Sequence, residues 1–132
     1  MAPDSLRRSV ILVIEDVEET RQGIEQLLAA SGYQVSTAKD EEESLLKAKL
    51  VRPDVILISL GLHHDRSVAI GKRIRESSAL GEDVPVVVFC SSGLDEGAEL
   101  PAGYKIYVTY PDNFDQLRSL LSRLLRKLPR SR

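Results

Sequence analysis

Pro53 to Leu62 read PDVILISLGL. The proline and aspartate stop what precedes them, apolar residues run unbroken from Val55 to Ile58, and Ser59, Leu60 and Gly61 close the run. A short apolar run with β-branched residues and breakers at both ends reads as a strand buried on both faces. Such strands belong to parallel sheets covered by helices, and ligand sites in those sheets lie just beyond the carboxyl ends of the strands. Ser59 stands at that end.

Working outward, Val10 to Ile14 and Val84 to Cys90 are two more unbroken runs, with Pro85 tolerable only near a strand start. After the first run comes Glu15-Asp16, then Val17, Ile24, Leu27 and Leu28 at helical spacing, with Asp16 or Glu18 to cap the helix and Gly32 to end it. Tyr33, Val35 and Thr37 alternate with polar residues, as in an edge strand. Asp40 with Glu43 forms a capping box that opens a helix carrying Leu45, Leu46, Ala48 and Leu50, stopped by Pro53. A loop over residues 61–67 leads to a third helix with Val68, Gly71 and Ile74 inside. Residues 91–103 are weakly patterned and leave room for one short helix around Asp95 to Leu100. Tyr104, Ile106 and Val108 alternate as a last strand, and Pro111-Asp112 opens a leucine-rich amphipathic helix.

Strict alternation of strand and helix predicts a three-layer, doubly wound α/β sandwich, (βα)5, with a five-stranded parallel sheet. The unbroken strands belong in the middle and the alternating ones at the edges, which gives the order 2-1-3-4-5 under right-handed crossovers. The 132 residues fit one domain, with a core over residues 9–128 and a basic tail over residues 129–132. No apolar run reaches the roughly 20 residues of a membrane helix, and the start of the chain lacks the apolar core of a signal peptide. One cysteine excludes an internal disulfide framework and points to the cytoplasm. A net charge of −2 gives no general pull toward nucleic acid. Arg118, Arg123, Arg126, Lys127, Arg130 and Arg132 nevertheless crowd the C-terminal end, as macrodipole complements or as a docking face for an acidic partner.

The order of these motifs resembles the receiver domain of two-component response regulators, with its flavodoxin-like fold. VILVIEDVEETRQGIEQLLAASGYQV resembles the family opening, RPDVILISLGL the third strand, VPVVVFCSS the fourth and YVTYP the close of the fifth. The resemblance places the family's acidic pair on Glu15 and Asp16, its switch aromatic on Tyr107 and its proline on Pro111. It places the phosphoaccepting aspartate on Ser59, the hydroxyl residue on Cys90 and the lysine on Tyr110. Three chemical positions are therefore replaced.

Phosphoryl transfer in the family needs a carboxylate nucleophile and a Mg²⁺ ion that neutralises the transferring group. Ser59 has no carboxylate, and the sequence shows no adjacent base for its hydroxyl. Tyr110 cannot carry the positive charge of a lysine, and Cys90 is a weak donor. Glu15 and Asp16 alone would hold Mg²⁺ weakly, and otherwise no cofactor is expected. The resemblance thus implies a non-enzymatic, phosphorylation-independent signalling module. Its expected partner is a kinase, regulator or other receiver of a two-component pathway, with no direct contact to nucleic acid or membrane. Docking or homodimerisation is expected through the face of the fourth helix, fifth strand and last helix, with Arg118 and Arg123 exposed on it. One alternative is a working receiver that accepts phosphate on another residue, such as Asp16 or Asp65. A remote one is a flavodoxin-like cofactor protein, disfavoured because EDVEET offers an anion two acids and no glycine. His63, His64 and Asp65 could also form a transition-metal site, and Cys90 reads as an inert thiol.

Overall fold

Two of the unbroken apolar runs become neighbouring parallel strands, β1 (Val10–Glu15) and β3 (Val55–Ser59), with every residue from Ile11 to Ile14 and from Val55 to Ile58 fully buried. The computed structural model describes residues 8–61, 63–81, 83–89, 99–102, 105–109 and 114–126. Its other elements are α1 (Glu18–Ala30), β2 (Gln34–Ala38), α2 (Glu41–Val51), α3 (His64–Ser77), β4 (Val86–Phe89), β5 (Glu99–Pro101), β6 (Ile106–Thr109) and α4 (Phe114–Arg126). The parallel strands lie in the order β2-β1-β3-β4-β6, the expected 2-1-3-4-5. Helices α2 and α3 cover one face around Leu12, Ile14, Ile56, Ile58 and Val88. Helices α1 and α4 cover the other around Ile11, Val13, Leu57 and Val87. Among the described residues no helix is long and apolar enough to cross a membrane.

The expected punctuation recurs at several boundaries. Gly32, at φ +99, closes α1, and the Tyr33 and Gly32 amides reach back to the Leu28 and Ala29 carbonyls in a Schellman turn. Asp40 caps α2 by accepting from the Glu43 amide at 2.8 Å, while Glu43 accepts from the Lys39 amide at 2.8 Å. Asp54 ties the strand starts together, its carboxylate accepting from the Val10 amide at 2.8 Å and its own amide donating to the Val10 carbonyl at 2.7 Å.

Several expectations need correction. The short helix expected around Asp95 to Leu100 lies outside the described residues over 95–98, while Glu99–Pro101 is a strand antiparallel to β6, so the described residues hold four helices and the parallel sheet gains a sixth strand. Pairing with β6 satisfies backbone groups that an open edge would leave exposed, and Pro101 is tolerated because the strand has no outer neighbour. Consequently β6 is not an edge strand. Neither Asp16 nor Glu18 caps α1; Val17 occupies the cap without a side-chain bond. The third helix begins at His64, inside the expected loop. Val17, Leu27, Leu46 and Leu50 are exposed although their spacing matched buried neighbours, because Leu28 and Ala48 alone point fully into the sheet from α1 and α2 among the apolar residues.

Helix α3 approaches the sheet at Gly71, where a Cβ would lie 2.7 Å from Val86 Cγ1. Overpacking there costs about 1–3 kcal/mol, against the roughly 1 kcal/mol that alanine gains over glycine in a helix. Gly71→Ala should therefore lower the urea midpoint without changing the m-value. A midpoint that rises would contradict the close approach.

Arg73 on α3 grips Glu41 at the start of α2 through two bonds, Nε to Oε2 at 2.7 Å and Nη2 to Oε1 at 2.9 Å. This bonding, partly opposed by desolvation, holds the Glu41 carboxyl below its ordinary value. A depressed folded pKa contributes stability above the unfolded pKa that is lost as pH falls through the folded one. Arg73→Ala should then lower the Tm slightly near neutrality, and the gap should close in acid. The amplitude stays small because the pair is largely solvated.

Candidate functional site

The carboxyl edge of the sheet is where β1 and β3 both end, and the register sets Glu15 directly opposite Ser59. Alternation along the strands puts both side chains on the face shared with α1 and α4. The same row continues through Phe89, one place beyond the Ile58–Val88 pair, to Thr109 opposite it on β6. Glu15 is only 4% exposed and Thr109 is buried. The row therefore contains one carboxylate, two hydroxyls and a phenyl ring.

Glu15 and Ser59 are joined. The Ser59 hydroxyl donates to Glu15 Oε1 at 2.7 Å, and the other carboxylate oxygen, Oε2, accepts from the Val17 amide at 3.1 Å. The acidic pair is thus divided: Glu15 turns inward while Asp16 is exposed. The expectation that Ser59 lacks an adjacent base is corrected, since a buried carboxylate is in contact with it. A cation also reaches this edge unannounced by the motif comparison. Arg21, in the first turn of α1, donates through Nη1 to the Glu15 carbonyl at 2.9 Å.

Glu15 is poorly placed to hold Mg²⁺. A hard divalent ion takes carboxylate oxygens and water in near-octahedral geometry. Here both oxygens of Glu15 already accept bonds from the protein, a serine stands opposite, and Arg21 adds positive charge nearby. Among the described residues no group of three or more His, Cys, Asp or Glu side chains could hold a metal ion. His63 caps α3, its Nδ1 accepting from the Asp65 amide at 3.3 Å, with an Asp65 carboxylate oxygen 3.7 Å away, and the His64 side chain lies outside the described residues.

Of the remaining expected site residues, Cys90 and Tyr110 lie outside the described residues. Tyr107 is half-buried on β6, now an interior strand, and packs on the α1–α4 side of the sheet. Arg118 and Arg123 line a cleft shared with Ser31 and Tyr33 at the end of α1. The sequence marked both arginines as outward-facing without indicating that α1 would be their neighbour.

Removing the Ser59 hydroxyl would leave a buried carboxylate oxygen without that donor, a loss of about 1–3 kcal/mol. Ser59→Ala should therefore lower stability in that range by chemical denaturation, whereas Ser59→Thr, which retains the hydroxyl, should cost less. Equal stability of Ser59→Ala and the parent would show that the bond is not maintained in solution.

The family model for the response regulator receiver domain matches residues 11–122. Transcriptional regulatory protein PrrA of Mycobacterium leprae is 34% identical over 119 residues, covering 89% of this chain and 50% of the relative. Transcriptional regulatory protein KdpE of Staphylococcus aureus is 30% identical over 127 residues, covering 94% of this chain and 52% of the relative. The chain spans about half the length of the curated relatives it matches. In fold, it superimposes on the chemotaxis protein CheY4 of Vibrio cholerae with a TM-score of 0.69 at 23% identity, covering 89% of this chain and 99% of that one. Strand order, the acidic turn after β1 and the extent of these matches agree, and the chain belongs to the response regulator receiver domain family.

Proposed function

We propose that this chain is a two-component signalling module that works without aspartyl phosphorylation, by binding another protein of its pathway. The observation that carries the reading is the side chain at the end of β3: a serine whose hydroxyl is spent on Glu15. A serine cannot form the acyl phosphate that an aspartate forms, and a carboxylate already holding two donors is a poor ligand for the metal that such transfer needs. The assignments of Cys90 and Tyr110 to the family's hydroxyl and lysine positions rest on sequence alone, and both substitutions weaken phosphoryl chemistry further. In this reading the module is a binder rather than a catalyst and resides in the cytoplasm. Its partner is a kinase, a regulator or another receiver, with self-association as a further outcome. PrrA and KdpE are named as transcriptional regulators, and we place this chain in the same kind of pathway. Nucleic-acid contact is not part of the role proposed for this module.

One geometric feature favours a second reading. Glu15 is placed to accept the Ser59 proton, so Oγ could attack an acyl phosphate: an Oγ–P bond forms, the P–O bond to the carboxylate leaving group breaks, and the proton passes to Glu15. Incubation with acetyl phosphate and Mg²⁺, followed by intact mass measurement, separates the readings. No added phosphoryl group is expected. A hydroxylamine-labile group would overturn the phosphorylation-independent reading. A hydroxylamine-resistant group absent from Ser59→Ala would establish the serine ester instead.

A further inference from the structure

A second polar feature lies away from the sheet's carboxyl edge, between the C-terminal end of α1 and one side of α4. Ser31 and Tyr33 form one wall of an open cleft of about 660 Å³, and Arg118, Ser119, Ser122 and Arg123 form the other. The four α4 residues occupy two adjacent rows, at positions i, i+1, i+4 and i+5, on the side turned away from the buried Leu117, Leu120, Leu121, Leu124 and Leu125. The lining has two guanidinium groups, three hydroxyls and a phenol, and no carboxylate.

We propose that this cleft docks a carboxylate-rich segment of a partner protein. Three observations support an acidic occupant. One competing carboxylate, Asp115, lies 3.5 Å from Arg118 Nη2 in an i,i+3 pair exposed on both sides. Such a pair contributes little and is readily exchanged for an incoming carboxylate. The negative end of the α1 dipole, which would repel an anion, is blunted: the Ser31 hydroxyl donates to the Leu27 carbonyl at 3.1 Å, and the Gly32 and Tyr33 amides fill the Ala29 and Leu28 carbonyls. Burial raises the Tyr33 phenol above its ordinary value, outweighing the opposing pull of Arg118, so the phenol remains a donor at neutral pH.

The shape favours a protein segment over a small ligand. Small-molecule pockets of comparable volume enclose most of their ligand with apolar walls. This cleft is open, and its walls are polar apart from the tyrosine ring. Arg118 is held across the Phe114 ring at 6.0 Å from its centroid, which limits the side-chain freedom lost when it engages a partner. Planar guanidinium groups suit bidentate contact with carboxylates. Arg118 and Arg123 each already make an interaction, which an extended acidic segment entering the cleft would replace.

This inference names the partner chemistry for the binding role proposed above, and its test does not depend on phosphorylation. The isotope-labelled chain is titrated with a short polyglutamate peptide, a polyglutamine peptide of equal length, and inorganic phosphate at matched ionic strength, and amide shifts are followed. Polyglutamate should shift Ser31, Tyr33, Ser119 and Ser122 selectively and bind more weakly as salt rises. Arg118→Glu and Arg123→Glu should each weaken it by about tenfold or more, while Leu46→Glu, on the opposite layer, should leave it unchanged. Equal binding of polyglutamine, shifts confined to another surface, or a response to phosphate alone would each overturn the proposal. Phosphoryl uptake with intact peptide binding would defeat only the phosphorylation-independent reading.

Discussion

Strand β3 is fastened to β1 by a polar contact at each end. Asp54 and Val10 exchange bonds at the amino end, and Ser59 donates to Glu15 at the carboxyl end. Between them lie only apolar residues, buried on both faces. In a sheet covered on one side, a slipped register is penalised because apolar residues reach water. Here both faces are covered, so a one-residue slip would exchange one buried apolar side chain for another. The polar groups at the two ends supply the missing discrimination, because a slip would draw Asp54 or Ser59 into the core without its partner. Alignment of the central strands therefore depends on Ser59, the residue proposed above to stand in place of the phosphoaccepting aspartate.

The same contact bears on the electrostatics of a serine at the end of β3. A second carboxylate opposite Glu15 would face like charge in a buried setting, which needs a metal or a cation to relieve it. A hydroxyl relieves it directly by donating a proton. The Val17 amide takes the second oxygen, and Arg21 adds a cation at the backbone carbonyl of the same residue. Among the described residues, Glu15 is thus satisfied by the chain itself.

Much of this architecture was readable in the residues. The runs at Val10–Ile14 and Val55–Ile58 admitted little besides buried strands, and Asp40 with Glu43 and Gly32 marked helix boundaries that the chain uses. Strand β5 was not readable, because three residues ending in proline carry no period and acquire structure only from their pairing with β6. Leu46 and Leu50 misled because α2 carries apolar residues around much of its circumference, and periodicity cannot say which row meets the sheet. The site was legible as a list of positions but not as contacts. Glu15 and Ser59 are 44 residues apart, and only the strand register brings them to 2.7 Å. Likewise, the outward placement of Arg118 followed from the leucine pattern, whereas Tyr33 as its neighbour followed from helix packing.

The antiparallel strand beside β6 has a consequence for self-association. An open parallel sheet exposes unpaired amides and carbonyls along its outermost strands, which can template growth by further chains into fibrils. On one flank that border is reduced to the three residues of β5, ending in a proline that has no amide to offer. The opposite flank, β2, has five residues, three of them polar: Gln34, Ser36 and Thr37. Lateral growth of the sheet is thereby discouraged at β5, and β2 is left as the longer open border.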